Sequence, residues 1–320
     1  MVFLSFTLIF VVLHILPGDP VLAILGTKAT PEMIAQMRHQ LGLDKPLIIQ
    51  YFDYLINVLR GDLGQSITSH LPVIDEISSR LPTSIELTIG GAIVAIIIGI
   101  FGGVMSAVRK DSIVDYSFRV FSFLFYSMPF FLIALVFQLF FSVRLGVLPL
   151  SGVIDPYIAK PPTITGLLIL DSLLRGNIAA FRSNLEHMIL PWLTIGLLGS
   201  TIICRIARAS MIDALEQDYV DGARARGTTK FKVVYKHALR NALLPVVSVI
   251  GVEIAWMITG AVIVEYIFSL PGIGSRLLTA IYQRDFPVIQ GTMIIFTLIV
   301  TTISLSIDII YAFLDPRIRY

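Results

Sequence analysis

Six apolar runs divide the chain, at residues 1–16, 84–108, 120–143, about 187–207, about 245–264 and 286–311. A helix that crosses the hydrocarbon core of a bilayer needs roughly 20 predominantly apolar residues. Five of the runs reach that length and the first falls a little short. The pattern predicts an all-α polytopic membrane protein with about six transmembrane helices. The first run has no Lys or Arg before it and no small-residue cleavage site after it, so it does not read as a signal peptide. It reads as a first spanning helix whose beginning is missing.

The intervals between the runs are polar. Residues 17–83 read as a long external loop region that starts with a helix-stopping turn at 17–20. Thr30 caps a helix with Pro31 in its first position, Glu32 in its first turn, Ile34, Met37 and Leu41 on one face, and Gly42 at its end. A second amphipathic helix follows at about 46–59. Residues 144–186 form a second external loop. The interval 218–245 is polar but closely flanked by apolar runs. Asp218 is an N-cap there and Gly227 a stop, with Gly222, Ala223 and Ala225 leaving room for another backbone. Thr228 and Thr229 cap a second helix that carries an apolar stripe (Phe231, Val234, Ala238, Ala242) and a basic one (Lys232, Lys236, Arg240). Pro245 marks entry into the next apolar run.

Four features interrupt the spans. Pro129, after Ser127 and Met128, kinks the third span, either for packing or to open carbonyls towards a watery path. Pro191 interrupts the fourth span near its start. Glu253 lies near the middle of the fifth, a costly position that suits a bundle interior or a cavity. After the fifth, Glu265, Phe268, Pro271, Gly272 and Gly274 form an external turn in which the two glycines allow positive φ. In the second span, Gly90, Gly91, Gly99, Gly102 and Gly103 permit close helix packing.

Composition agrees with a lipid environment. Hydrophobic residues make up 56% of the chain and charged ones 14%, with a mean hydropathy of +0.84. A soluble domain is about 25% charged. The net charge of +2 gives no sign of nucleic-acid binding. Segments 109–119, 205–243 and 312–320 are more than twice as dense in Lys and Arg as the external segments, which makes them cytoplasmic. Both termini face the cytoplasm if the first helix spans completely. Cys204 stands alone, so no internal disulfide forms, and the five histidines are scattered without metal-ligand spacing. No P-loop and no Gly-x-Ser-x-Gly occurs, so neither nucleotide hydrolysis nor serine hydrolysis belongs to this chain.

The polar interval 218–245 resembles the cytoplasmic coupling loop of importer permeases of the ABC type. The matching positions are Asp221, Gly222, Ala223 and Gly227, with Leu244 and Pro245 further on; Asp and Gly stand where the family has Glu and Ala. The string at 60–67, the turn from Glu265 to Gly274 and the ending at 313–320 are similar to the dipeptide, oligopeptide and nickel branch. The resemblance implies the type I permease fold: a first helix at 1–16, an external region at 17–83, a permease core at 84–311 with its coupling loop at 208–243, and a cytoplasmic tail at 312–320. It also implies that Asp221, Gly222, Ala223, Ala225, Arg226, Gly227, Leu244 and Pro245 serve coupling to partner ATPases. Ser127, Met128, Pro129 and Glu253 are the candidates for a translocation path.

Further implied partners are a second, homologous permease, two cytoplasmic ATPase subunits that bind the ATP and Mg, an external binding protein, and membrane lipid. This chain itself would bind no cofactor and no metal. Cargo stays open among dipeptides, longer peptides, glutathione, sugar oligomers and nickel. Two other classes compete: a proton-coupled secondary transporter using Glu253 or Asp308, and an intramembrane enzyme or scaffold.

Overall fold

The computed structural model describes residues 2–15, 21, 29–40 and 42–314. The turn at 17–20, Leu41 and the tail from 315 lie outside the described residues, as does the side chain of Asp308. The regular elements of the described chain are all helices, apart from a single isolated bridge between Gln65 and Pro72. The helices are α1 (Val2–Ile15), α2 (Pro31–Gln40), α3 (Leu47–Leu59), α4 (Val73–Val108), α5 (Ile113–Ser127) and α6 (Phe130–Arg144), followed by α7 (Leu168–Leu174), α8 (Ile178–Leu215), α9 (Asp218–Ala225), α10 (Lys230–Ile267), α11 (Ile273–Gln283) and α12 (Phe286–Leu314). Among the described residues, α4, α8, α10 and α12 are long and apolar enough to cross a membrane, and α5 with α6 makes a fifth, broken span. The 14 described residues of α1 account for the remaining apolar run.

The chain divides into two compact units. The first comprises residues 1–82 and 271–301. Its core gathers Leu63, Val73, Ile77, Ile273, Leu277, Ala280, Val288 and Ile289. Thr30 caps α2 as expected, its Oγ1 accepting from Met33 N at 3.3 Å, and Gly42 leaves the helix at φ 67°. Helix α3 turns Tyr51 and Tyr54 onto Phe6 and Phe10 of α1, with the Tyr51 hydroxyl 2.8 Å from Thr7 Oγ1. Ile48, Phe52 and Leu59 on its other side are exposed.

A polar network sits in the same unit. Arg276 donates from Nε to Glu76 at 2.6 Å and from Nη2 to Asp285 at 3.3 Å. Asp285 also receives the hydroxyls of Ser66 (2.6 Å) and Thr68 (2.8 Å) and the N–H of Ile67 (3.0 Å). Ser69 donates to Glu76. The polar string at 60–71 is therefore locked to the start of α4 and the end of α11.

The second unit comprises residues 83–270 and 302–320. Its core runs through Leu87, Ala92, Ala95, Met188, Ile195, Ile203, Val246, Met257 and Phe268. The glycines of α4 work as the pattern suggests. A Cβ on Gly91 would lie 2.3 Å from Ile195 Cγ2, and one on Gly103 would lie 2.7 Å from the Cys204 carbonyl oxygen and 2.9 Å from the Arg208 nitrogen. Helices α4 and α8 thus approach to backbone contact.

Several boundaries differ from those read off the hydrophobic pattern. Helix α4 begins at Val73 rather than 84 and carries Pro82 inside it, because its first turns are amphipathic and hydropathy does not register them. Pro191 does not interrupt the fourth span; α8 runs unbroken from Ile178 to Leu215. Pro245 likewise sits inside α10, which starts fifteen residues earlier at Lys230. Proline is tolerated inside a spanning helix where neighbouring helices and local adjustment re-satisfy the freed backbone groups. At Pro129, in contrast, the axis bends by 106°.

Candidate functional site

Helix α9 is the candidate coupling element. Gln217, in extended backbone (φ −85°, ψ 147°), is its N-cap, and Asp218 is its first residue rather than the cap. Asp218 and Asp221 lie in the first turn, where the helix dipole favours negative charge. Arg224 in the last turn reaches back to Asp221 at 2.9 Å. The end is a Schellman motif: Thr228 N–H donates to Ala223 O at 3.2 Å and Gly227 N–H to Arg224 O at 2.9 Å, with Gly227 at φ 75°. That φ is why glycine stands at this position, since the space around it is open.

One face of α9 is seated. Val220 and Ala223 are fully buried against Val104, Ala107, Met211, Ala214, Val233, Val234, Ala238 and Ala242, which belong to α4, α8 and α10. The opposite face shows Tyr219, Asp221, Arg224, Ala225 and Arg226 to the outside, with Gly222 half-buried. Force applied to the exposed face passes through a close-packed seat into three spans at once.

The first turns of α10 include a π-helical stretch, Val233–Ala238. Its wider turn puts adjacent Val233 and Val234 into the seat and leaves Phe231 69% exposed, stacked near Tyr235 at 4.6 Å. Phe231 is therefore not part of the buried stripe that its spacing suggested, whereas Val234, Ala238 and Ala242 are. Lys232, Lys236 and Arg240 are exposed as expected. Leu244 and Pro245 lie further along α10, just beyond Ala242 of the seat, half-buried and exposed respectively.

The path candidates fall on two elements. Ser127 ends α5, Met128 is extended (φ −94°, ψ 130°), and Pro129 opens α6. Ser127 Oγ donates to the Phe123 carbonyl at 2.8 Å, and Met128 N–H donates to the Phe125 carbonyl at 3.4 Å. Glu253 lies in α10, 8% exposed beside Gly199 and Met257, and no group among the described residues hydrogen-bonds its carboxylate. Phe130 fits against Gly260, two turns from Glu253 along α10. The break thus packs on the helix that carries Glu253, with no hydrogen bond between the two among the described residues.

The external turn is well anchored. Glu265 is fully buried and accepts from Ser84 Oγ at 2.6 Å. Gly152 N–H donates to Phe268 O at 2.8 Å and the Gln138 amide to Ile267 O at 3.2 Å. Gly272 has φ −92° and serves as N-cap of α11, with Pro271 just before it and Gly274 in the first turn. Neither glycine takes positive φ; Ser269 does, at 53°. The glycines stand at the start of α11, not in a left-handed turn.

Hydropathy reasoning missed the long-range polar pairs. Arg208 grips Asp115, and Glu86 accepts the N–H groups of Leu168 (3.1 Å) and Ile169 (3.0 Å), holding the start of α7. Asp171 gathers the N–H groups of Ile164, Thr165 and Gly166 with the Thr165 hydroxyl. Burial raises the Asp171 pKa, but these donors outweigh it and hold the carboxyl below its ordinary range. An acid just after Ser112, at Asp115, was the one local signal, since Ser112 accepts from its N–H as an N-cap. Among the described residues no cluster of three His, Cys, Asp or Glu could hold a metal.

Comparison with known proteins bears on these elements. The family described as "Binding-protein-dependent transport system inner membrane component" matches residues 95–320, and its N-terminal counterpart matches residues 1–88. The dipeptide transport system permease protein DppB of Alkalihalophilus pseudofirmus is 39% identical over 313 residues, covering 97% of this chain and 93% of that protein. DppB of Escherichia coli K12 is 37% identical over 322 residues (99% and 95%). The glutathione transport system permease protein GsiC of Escherichia coli O6:H1 is 36% identical over 318 residues (99% and 94%). A chain from the inward-facing MetNI methionine ABC transporter superposes with a TM-score of 0.55 at 15% identity, covering 75% of this chain and 96% of that one. That last likeness concerns the fold.

Proposed function

This chain belongs to the binding-protein-dependent transport system inner membrane components, and we propose that it is one permease subunit of an ATP-driven importer for short peptides. It is a multi-pass inner-membrane transport subunit with the permease fold. The peptide cargo rests on the dipeptide and glutathione permeases to which nearly its whole length is similar. Glutathione is itself a short peptide, so these relatives point to one cargo class.

The mechanism follows from the lever. Two cytoplasmic ATPase subunits, holding ATP and Mg, close on ATP and press on the exposed face of α9. The seat of Val220 and Ala223 carries that displacement into α4, α8 and α10. A second permease subunit completes the path and an external binding protein delivers the peptide. ATP thus acts through a docking contact and not by binding to this chain. The carrying observation is the division of α9 into a buried seat and an exposed Asp221–Arg224 face.

Co-purification tests the assembly. A tagged copy of this chain brings down a second permease and ATPase subunits in fixed stoichiometry. Asp221→Lys weakens the ATPase contact while the chain stays in the membrane. Recovery of the chain alone from gently solubilised membranes would remove the proposal.

A further inference from the structure

Helices α5 and α8, with Ser106 of α4, line a half-open cavity of about 350 Å³ that none of the coupling or turn residues explains. Phe118, Phe123 and Tyr126 form an aromatic wall, and Arg119, Arg205 and Arg208 line the rest. Three guanidinium groups in one membrane cavity call for compensation. Arg208 has it, in the buried carboxylate of Asp115. The other two have only ring faces: Arg119 stands 5.4 Å from the Tyr116 centroid and Arg205 5.7 Å from that of Tyr126. Among the described residues neither has a carboxylate within ion-pair distance. Arg119 and Arg205 are both exposed, so their guanidinium groups are open to an approaching anion.

The cavity's place is equally informative. Tyr126 precedes the break at Ser127, Met128 and Pro129 directly, so the cavity opens beside the most distorted backbone of the spans. Arg205 itself stands over the ring of Tyr126, the residue just before that break.

We propose that Arg205, assisted by Arg119, receives the C-terminal carboxylate of the peptide as it passes the break. The inference rests on the peptide reading above and adds the residue that recognises the cargo. A guanidinium fork matches a carboxylate with two parallel hydrogen bonds, and every unmodified peptide carries that group whatever its sequence. The aromatic wall faces the variable side chain and accepts it by contact rather than by hydrogen bonds, so it discriminates weakly. Recognition of the backbone end with tolerance of side chains suits a carrier of mixed short peptides.

The test uses the complete importer in proteoliposomes, with a radiolabelled dipeptide delivered by its binding protein and ATP inside the ATPase compartment. The readout is peptide taken up per ATP hydrolysed. Arg205→Gln lowers that ratio by about tenfold, the size expected for one charge-assisted hydrogen-bonded pair, and Arg205→Lys restores part of it. Arg119→Gln, on the exposed side of the cavity, lowers it less and serves as the second variant should Arg205→Gln fail to assemble. A wild-type ratio in both Gln variants overturns the proposal. So does loss of bound acidic phospholipid from the Gln variants in native mass spectra with the ratio unchanged, which assigns the cavity to lipid. Absence of dipeptide uptake by the wild type would instead defeat the cargo reading.

Discussion

Arg208 clasps Asp115 with two hydrogen bonds of 2.7 Å, Nε to Oδ1 and Nη2 to Oδ2. Asp115 is completely buried and also takes the Ser106 hydroxyl and, at 3.1 Å, the Asp111 N–H. The pair ties the start of α5 to the end of α8, one turn from Met211 in the seat of the lever. Breaking such a pair leaves one charge buried without a partner, which costs about 3–5 kcal/mol. Asp115→Ala should therefore lower the melting temperature of the detergent-solubilised chain strongly, and Arg208→Lys, which loses the fork, should lower it less. Equal melting of Asp115→Ala and wild type would show that the clasp is not structural.

Gly227 and Gly103 make opposite demands. Gly227 needs its φ of 75° and has empty space around it, whereas Gly103 is helical and has backbone atoms of α8 where a Cβ would go. Gly227→Val strains one turn at the end of α9, so subunit abundance should hold while uptake per ATP falls. Gly103→Val must push α4 from α8, an overpacking cost of about 1–3 kcal/mol, so abundance itself should drop. Immunoblots of membranes beside uptake measurements separate the two outcomes. Identical behaviour of the two variants would contradict the assignment of Gly227 to coupling.

Asp285 gives the first unit an acid limit. Burial raises its pKa, but the Ser66 and Thr68 hydroxyls and the Ile67 and Thr68 N–H groups outweigh burial and leave it below the ordinary carboxylate value. A group with a lowered folded pKa adds stability above its unfolded pKa, near 3.9, and loses it as pH falls through the folded value. Melting temperature should therefore fall steeply below about pH 4. Asp285→Asn should melt lower at pH 7 and show a shallower acid decline. A parallel decline in both proteins would remove Asp285 from the account.

The hydrophobic pattern located the spans because burial in lipid leaves a signal in every residue of a run. The end of α9 was legible too, since a glycine that stops a helix commonly takes a left-handed conformation, and Gly227 does so at φ 75°. The pattern's limits are physical. Amphipathic first turns hid the true start of α4 at Val73, and hid that the helix capped at Thr229 runs on without a break into the fifth span. Tertiary packing absorbed Pro191 and Pro245, which local propensity reads as breaks. A π-helical stretch shifted Phe231 out of its expected stripe. The clasp from Arg208 to Asp115 and the network around Arg276 join residues far apart in the chain, and no local spacing announces them.

The most direct measurement is uptake of a labelled dipeptide into proteoliposomes holding the assembly purified on this chain, with binding protein outside, compared with and without ATP and with an added proton uncoupler. Uptake that requires ATP, persists with the uncoupler and falls in Gly227→Val is the predicted result. Uptake that proceeds without ATP and collapses with the uncoupler would contradict the account.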